Sequence, residues 1–210
     1  MKSPLFIAAA FMAMASSSPA ANLLVNGSFE APLTFDGAPF VGFWEGFSAG
    51  GTATATTDTN QPRTGASNAA LSILGDNNSF AGIFQDVSVT PGTQVTFSGW
   101  HATPSSPLDV GVEFRLEWRN SGTNSEVSRT PNSTTAPGGA AYQPFSLVAT
   151  VPAGADTARV VYAIQTFGGD GPSNSGVVRL DDLSFDVVPE PGTTALLGLL
   201  AAAGVWRRRR

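Results

Sequence analysis

Residues Asp109–Arg119 (DVGVEFRLEWR) alternate without a break: Val110, Val112, Phe114, Leu116 and Trp118 share one parity, while Gly111, Glu113, Arg115, Glu117 and Arg119 share the other. A period of two sends successive side chains to opposite sides of an extended backbone, so this run reads as a strand with one buried face. Comparable runs occur at Ala69–Leu74, Ala81–Val89, Thr93–Ala102, Tyr142–Val151, Asp156–Thr166 and Val177–Val187, with a weaker Thr/Ala run at Gly51–Thr57. Gly, Pro, Asn and Ser punctuate the gaps, and no segment of the body carries a 3.6-residue period. Roughly eight to ten short strands with turn chemistry between them predict an all-β fold, an antiparallel β-sandwich or jelly roll. Ser121–Ser125 and Pro131–Gly139 read as long polar turns.

Both ends differ from this body. Lys2, the apolar run Leu5–Ala15 and the small residues Ser18-Pro19-Ala20 have the order of a secretory signal peptide over residues 1–20. At the other end, a polar turn leads into an apolar run from Thr193 to Trp206 and then four arginines, Arg207–Arg210. As a helix of ~14 residues the run would reach ~21 Å, short of a ~30 Å hydrocarbon core, with arginines and Trp206 bridging the mismatch. The arginine block predicts a cytoplasmic C-terminus and a body on the far side of the membrane. Residues 21–188 remain as one domain, with no internal repeat or linker. That body holds six arginines and no lysine against fifteen carboxylates, a net charge near −9 that argues against nucleic-acid binding. Cysteine is absent, so neither a disulfide nor a thioether-linked lipid is available.

The tail resembles the PEP-CTERM proteins sorted by exosortases in Gram-negative bacteria. The match is Val188-Pro189-Glu190-Pro191-Gly192, the apolar run and Arg207–Arg210 in that order. The resemblance implies transient anchoring in the inner membrane, processing by an exosortase near Pro189, Glu190 and Pro191, and release to the cell surface or extracellular matrix.

The body resembles family 4/9/22-type carbohydrate-binding modules with a galactose-binding-like jelly roll. The residues that carry this are Asn22-Leu23-Leu24-Val25-Asn26-Gly27-Ser28-Phe29-Glu30 with Gly42-Phe43-Trp44, Ile83–Val87, Pro91–Trp100 and Val178–Phe185. It implies a structural calcium site at Glu30 and Asp181, for which two carboxylates and main-chain carbonyls are suitable hard-cation ligands. On a regular strand Asp181 and Asp182 face opposite ways, so Asp181 is the expected ligand. The bland reading is a solvated charge and a turn-stabilising aspartate.

Parity places Trp100 outside the core, and Arg115 faces away from Val112 and Phe114. If β-strands 93–102 and 109–119 are neighbours, Trp100 and Arg115 form one sugar-binding surface, an aromatic plate beside hydrogen-bonding groups. The alternative is a rim tryptophan under a loop with merely solvated charges. Trp44 and Trp118 are expected in the core. No catalytic set is evident: Glu113 and Glu117 stand ~13 Å apart along a strand, too far for a glycosidase pair, and His101 has no partner motif. The expected function is therefore polysaccharide binding without catalysis, with a structural matrix or biofilm protein as the alternative.

Replacing Pro189, Glu190 and Pro191 together with alanine is expected to leave export intact and block release, because insertion depends on the apolar run and the arginines. Cell fractionation decides this, and normal release of the variant would contradict the sorting assignment.

Overall fold

A computed structural model describes residues 21–40, 42–104, 108–167 and 173–188; the signal-peptide and sorting-tail expectations fall outside these residues. Ten strands lie within the unit Ala21–Val188. They are β1 (Glu45–Ala49), β2 (Thr54–Asp58), β3 (Asn68–Ile73), β4 (Phe80–Ser88), β5 (Gln94–Ala102), β6 (Gly111–Asn120), β7 (Ser125–Arg129), β8 (Gln143–Thr150), β9 (Thr157–Gln165) and β10 (Gly176–Val187). The first sheet runs β1-β4-β9-β6-β7 and the second β2-β3-β10-β5-β8. Neighbouring strands pair antiparallel throughout. Among the described strands only the β2–β3 and β6–β7 links stay within one sheet, while every other link crosses to the opposite one. This is the jelly-roll arrangement that the alternating runs predict.

The inward parities of the two sheets make the core. Val112, Phe114, Leu116 and Trp118 of β6, and Val160, Tyr162 and Ile164 of β9, face Val95 and Phe97 of β5 and Phe145 of β8. Trp44 and Trp118 are buried as expected, and the Trp44 indole N–H finds an acceptor in Asn26 O at 3.0 Å. Strand β10 reads irregularly (VVRLDDLSFDV) because its register against β5 slips between Asp181 and Ser184. One extra residue reverses the parity, so Val178 and Leu180 point inward before the bulge and Leu183 and Phe185 after it.

Two strands have no signal in the sequence. β7 overlaps the expected turn and is exposed along its whole length, an edge strand held by its pairing with β6 and by Arg129, which lies 3.8 Å from Glu117. β1 exists through its pairing with β4. The expected loop Pro131–Gly139 is also tied down, since Ser133 and Phe114 exchange two main-chain hydrogen bonds of 3.0 Å.

His101 points into the core, where its Nδ1 lies 2.8 Å from the Tyr162 hydroxyl and its ring packs on Phe145. Burial pulls its pKa down to about 4 from the ordinary 6.5. The unfolded chain therefore binds a proton that the folded chain refuses. Stability is fully present above about pH 6.5 and falls as pH drops toward 4, by ~3 kcal/mol at most. The His101→Gln variant is expected to show a flatter decline in melting temperature between pH 6.5 and 4.5 than the parent. Identical slopes would show that His101 is not the titrating group.

Candidate functional site

The β2–β3 loop folds across the outer face of the second sheet, and acidic groups from both ends of the body hold it there. Glu30 accepts the main-chain N–H groups of Ala66 (3.0 Å) and Ser67 (3.2 Å). Gly65, in the left-handed region at φ 63°, lets that carboxylate approach, because a Cβ there would collide with it. Asp181, fully buried, accepts from Arg63 N (2.7 Å), Thr64 N (3.1 Å) and Asp182 N (2.8 Å). Burial nonetheless raises its pKa above the ordinary carboxylate value.

Asp182 departs from the expectation for a regular strand. The bulge puts it at φ 49°, so its carboxylate turns to the same loop, pairing with the Arg63 guanidinium and accepting from Thr64 Oγ1 at 2.6 Å. One buried oxygen in this region has no partner: Asn68 Oδ1, at the start of β3. Asn68 precedes Ala69, the partner of Leu180 on β10, and itself pairs with Asp58 of β2. Glu30 and Asp181 thus meet the same loop, whose end at Asn68 holds an unpartnered buried oxygen.

The expected sugar-binding pair is separated. β5 belongs to the second sheet and β6 to the first, so the two consecutive strands do not pair as a hairpin. Trp100 and Arg115 therefore point out of opposite faces. Trp100 lies under the β2–β3 loop, with the Arg63 guanidinium 3.9 Å from its ring centre. Arg115 bridges its own strand, donating through Nε to Glu117 Oε1 at 2.9 Å and pairing with Glu113 through Nη1.

The outer face of the first sheet holds a constellation that sequence reasoning missed. Phe47 of β1 lies across Gly82 of β4, where any Cβ would meet its ring. Phe80 and Phe84 of β4 pack against Phe47 at 6.1 and 6.2 Å between centroids. Phe167 extends the row from Phe80 at 5.9 Å, and Phe40 extends it from Phe84 at 5.0 Å. Phe40 is held at φ 55°, an uncommon backbone for a bulky side chain. Its loop is fixed by Gly37 N donating to Glu45 Oε1 at 2.9 Å.

At the Phe40 end stands Arg159 of β9, with its guanidinium 4.0 Å from the Phe84 ring centre and 5.2 Å from that of Phe40. Asp86 clamps it from β4, accepting from Nε at 2.8 Å and from Nη2 at 2.9 Å. Phe40 and Asp86 line two adjoining depressions. One, of about 510 Å³, extends to Arg119, Asn120 and Ser121; the other, of about 260 Å³, extends to Phe43 and Glu45. The available signal was the second parity of β4, on which Phe80, Phe84 and Asp86 all fall.

The sequence pattern of the PEP-CTERM protein-sorting motif matches residues 187–210. The chain carries a PEP-CTERM sorting motif. Among curated proteins none matches this sequence. The body of this PEP-CTERM chain is similar in fold to solved structures at low identity. A structure described as "CBM4 structure and function" superposes with a TM-score of 0.50 at 14% identity, covering 79% of this chain and 99% of that one. The enzymatically active domain of bacteriophage CBA120 tailspike protein 4 gives a TM-score of 0.59 at 17% identity, covering 80% of this chain. An arabinose-bound GH51 α-L-arabinofuranosidase gives 0.53 at 12% identity, again over 80% of this chain. This chain spans only 21% of the tailspike structure and 26% of the arabinofuranosidase. The shared feature is the two-sheet β-sandwich fold.

Proposed function

We propose that the chain is an exported, non-catalytic polysaccharide-binding module, sorted by an exosortase to the cell surface or matrix of a Gram-negative bacterium. The observation that carries the binding reading is the outer face of the first sheet, where a row of phenylalanines ends at two depressions beside clamped arginine–carboxylate pairs. Aromatic rings take up the C–H faces of sugar rings, and fixed charged groups hydrogen-bond the hydroxyls. Arg115 shares this outer face but lines neither depression, and Trp100 lies on the opposite sheet with its ring covered by Arg63. The carboxylates Glu113 and Glu117 both pair with Arg115 on their own strand. His101, kept neutral in the core, is remote from any substrate.

Phe40→Ala is expected to weaken retention on a bound polysaccharide about tenfold, the equivalent of ~1.4 kcal/mol, with the melting temperature little changed. Trp100→Ala should leave retention unchanged. Affinity electrophoresis across a panel of polysaccharides measures both. Retention lost in Trp100→Ala and kept in Phe40→Ala would move the site to the opposite sheet.

We also propose a structural calcium ion at Glu30 and Asp181. Three features support it: both carboxylates reach the β2–β3 loop, Asp181 is buried, and the buried Asn68 Oδ1 is unpartnered. Calcium at a hundredfold excess over its Kd would add ~2.7 kcal/mol to stability. EDTA should lower the melting temperature, calcium should restore it, and Glu30→Ala should abolish the response. A melting curve indifferent to both would leave the carboxylates as clasps for main-chain N–H groups alone.

A further inference from the structure

The larger depression on the first sheet is rich in charge, yet its arginines are already matched. Arg159 contributes a planar guanidinium whose Nε and Nη2 edge is the preferred seat for a carboxylate, and Asp86 fills that seat with two bonds of 2.8 and 2.9 Å. Phe84 and Phe40 lie against the guanidinium, so it cannot swing away to meet a ligand without leaving two ring contacts. Arg119, the other cation of the lining, has Glu117 at 4.0 Å. The Ser121 wall brings a further carboxylate: Asp156 accepts from Ser121 N at 2.9 Å and Ser121 Oγ at 2.8 Å. Those bonds, led by the Ser121 amide, hold the Asp156 carboxyl below the ordinary range, so it is ionised at neutral pH. Asp86 thus answers Arg159 and Glu117 answers Arg119, while Asp156 stands behind Ser121; of the three carboxylates Asp86 alone lines the depression.

We propose that Asp86 is a selectivity residue: it occupies the carboxylate seat on Arg159 and thereby closes this cavity to anionic glycans, leaving neutral ones as the ligand class. The inference rests on the reading that this face binds polysaccharide. A uronate or sulfate entering the cavity would have to displace Asp86 from its bidentate bond. It would also sit beside the displaced Asp86 carboxylate, with like charges brought into contact. A neutral sugar makes no such demand. Its hydroxyls donate to carboxylate lone pairs that the arginine leaves free and accept from guanidinium edges not facing Asp86. The net charge near −9 of the body adds a longer-range repulsion of anionic polymers that salt screens.

The test is affinity electrophoresis of the exported protein in gels loaded with a neutral mixed-linkage β-glucan or with polygalacturonate, each at low and at high salt. The parent protein should be retarded by the β-glucan equally at about 20 and about 300 mM NaCl, and ignored by polygalacturonate at both. Asp86→Asn keeps the shape of the side chain and removes its charge, so it should gain retardation on polygalacturonate at low salt and lose it at high salt. Asp86→Ser, which empties the seat altogether, should gain the same. Asp86 is exposed, and a melting curve confirms that both variants fold. Folded variants that gain nothing on polygalacturonate overturn the selectivity role, as does a parent protein retarded by polygalacturonate as strongly as by the β-glucan. A parent protein that passes unretarded through the β-glucan counts against the binding reading instead. A gain in the Asp86 variants would still support the occupied seat.

Discussion

The buried carboxylate of Asp181 has to be satisfied before the second sheet can close, and it is satisfied by the main chain of a loop more than a hundred residues earlier. A buried carboxylate left without donors would cost several kcal/mol. Two of its N–H partners, those of Arg63 and Thr64, therefore oblige the β2–β3 loop to lie across the sheet. From that placement follow the Arg63–Asp182 pair, the guanidinium over Trp100 and the Glu30 clasp on the far side of the same loop. The bulge after Asp181 performs a second task, since it restores Leu183 and Phe185 to the core and exposes the peptide that Asn22 secures. The Asn22 side chain donates to Leu183 O at 2.9 Å and accepts from Phe185 N at 3.0 Å, so the first residues of the body are bound to its last strand.

The two outer faces consequently have different characters. The second sheet is strapped: its tryptophan is covered and its acidic residues are committed to the loop. The first sheet is open, and its phenylalanines need no hydrogen-bond partner to sit at a surface. Phe167 is exposed, Phe40, Phe47 and Phe80 are partly so, and Phe84 is buried. The arginines of this sheet are neutralised in place, so the surface offers directional hydrogen bonds without a strong field. A body with a net charge near −9 can meet an uncharged polymer on such a surface without an electrostatic penalty.

The Glu113–Arg115–Glu117 ladder shows how parity and topology divide the evidence. Parity alone put all three residues outside the core, and they are outside it. Parity also put Trp100 outside, and it is. What parity could not reveal is that the connection from β5 to β6 passes from one sheet to the other, because alternation along a strand has no information about which sheet that strand joins. The cluster of Phe40, Asp86 and Arg159 was hidden for a related reason. Its members lie on a loop and two strands that pair only in the folded chain, and β4 is apolar on both faces, so its alternation does not single out Phe84.

By itself the sequence determined the fold class, the span of most strands, the burial of Trp44 and Trp118 and the presence of the sorting motif. Each of these is written in local order: a period of two, turn residues between runs, or a fixed succession of motif, apolar stretch and arginines. Tertiary structure decided which strands became neighbours, where β10 bulged and which outer face stayed open. It also decided that β7, exposed along its whole length, would be a strand at all. Those outcomes depend on hydrogen bonds between residues far apart in the chain and on the cost of burying Asp181. Neither leaves a periodic trace in the residues themselves.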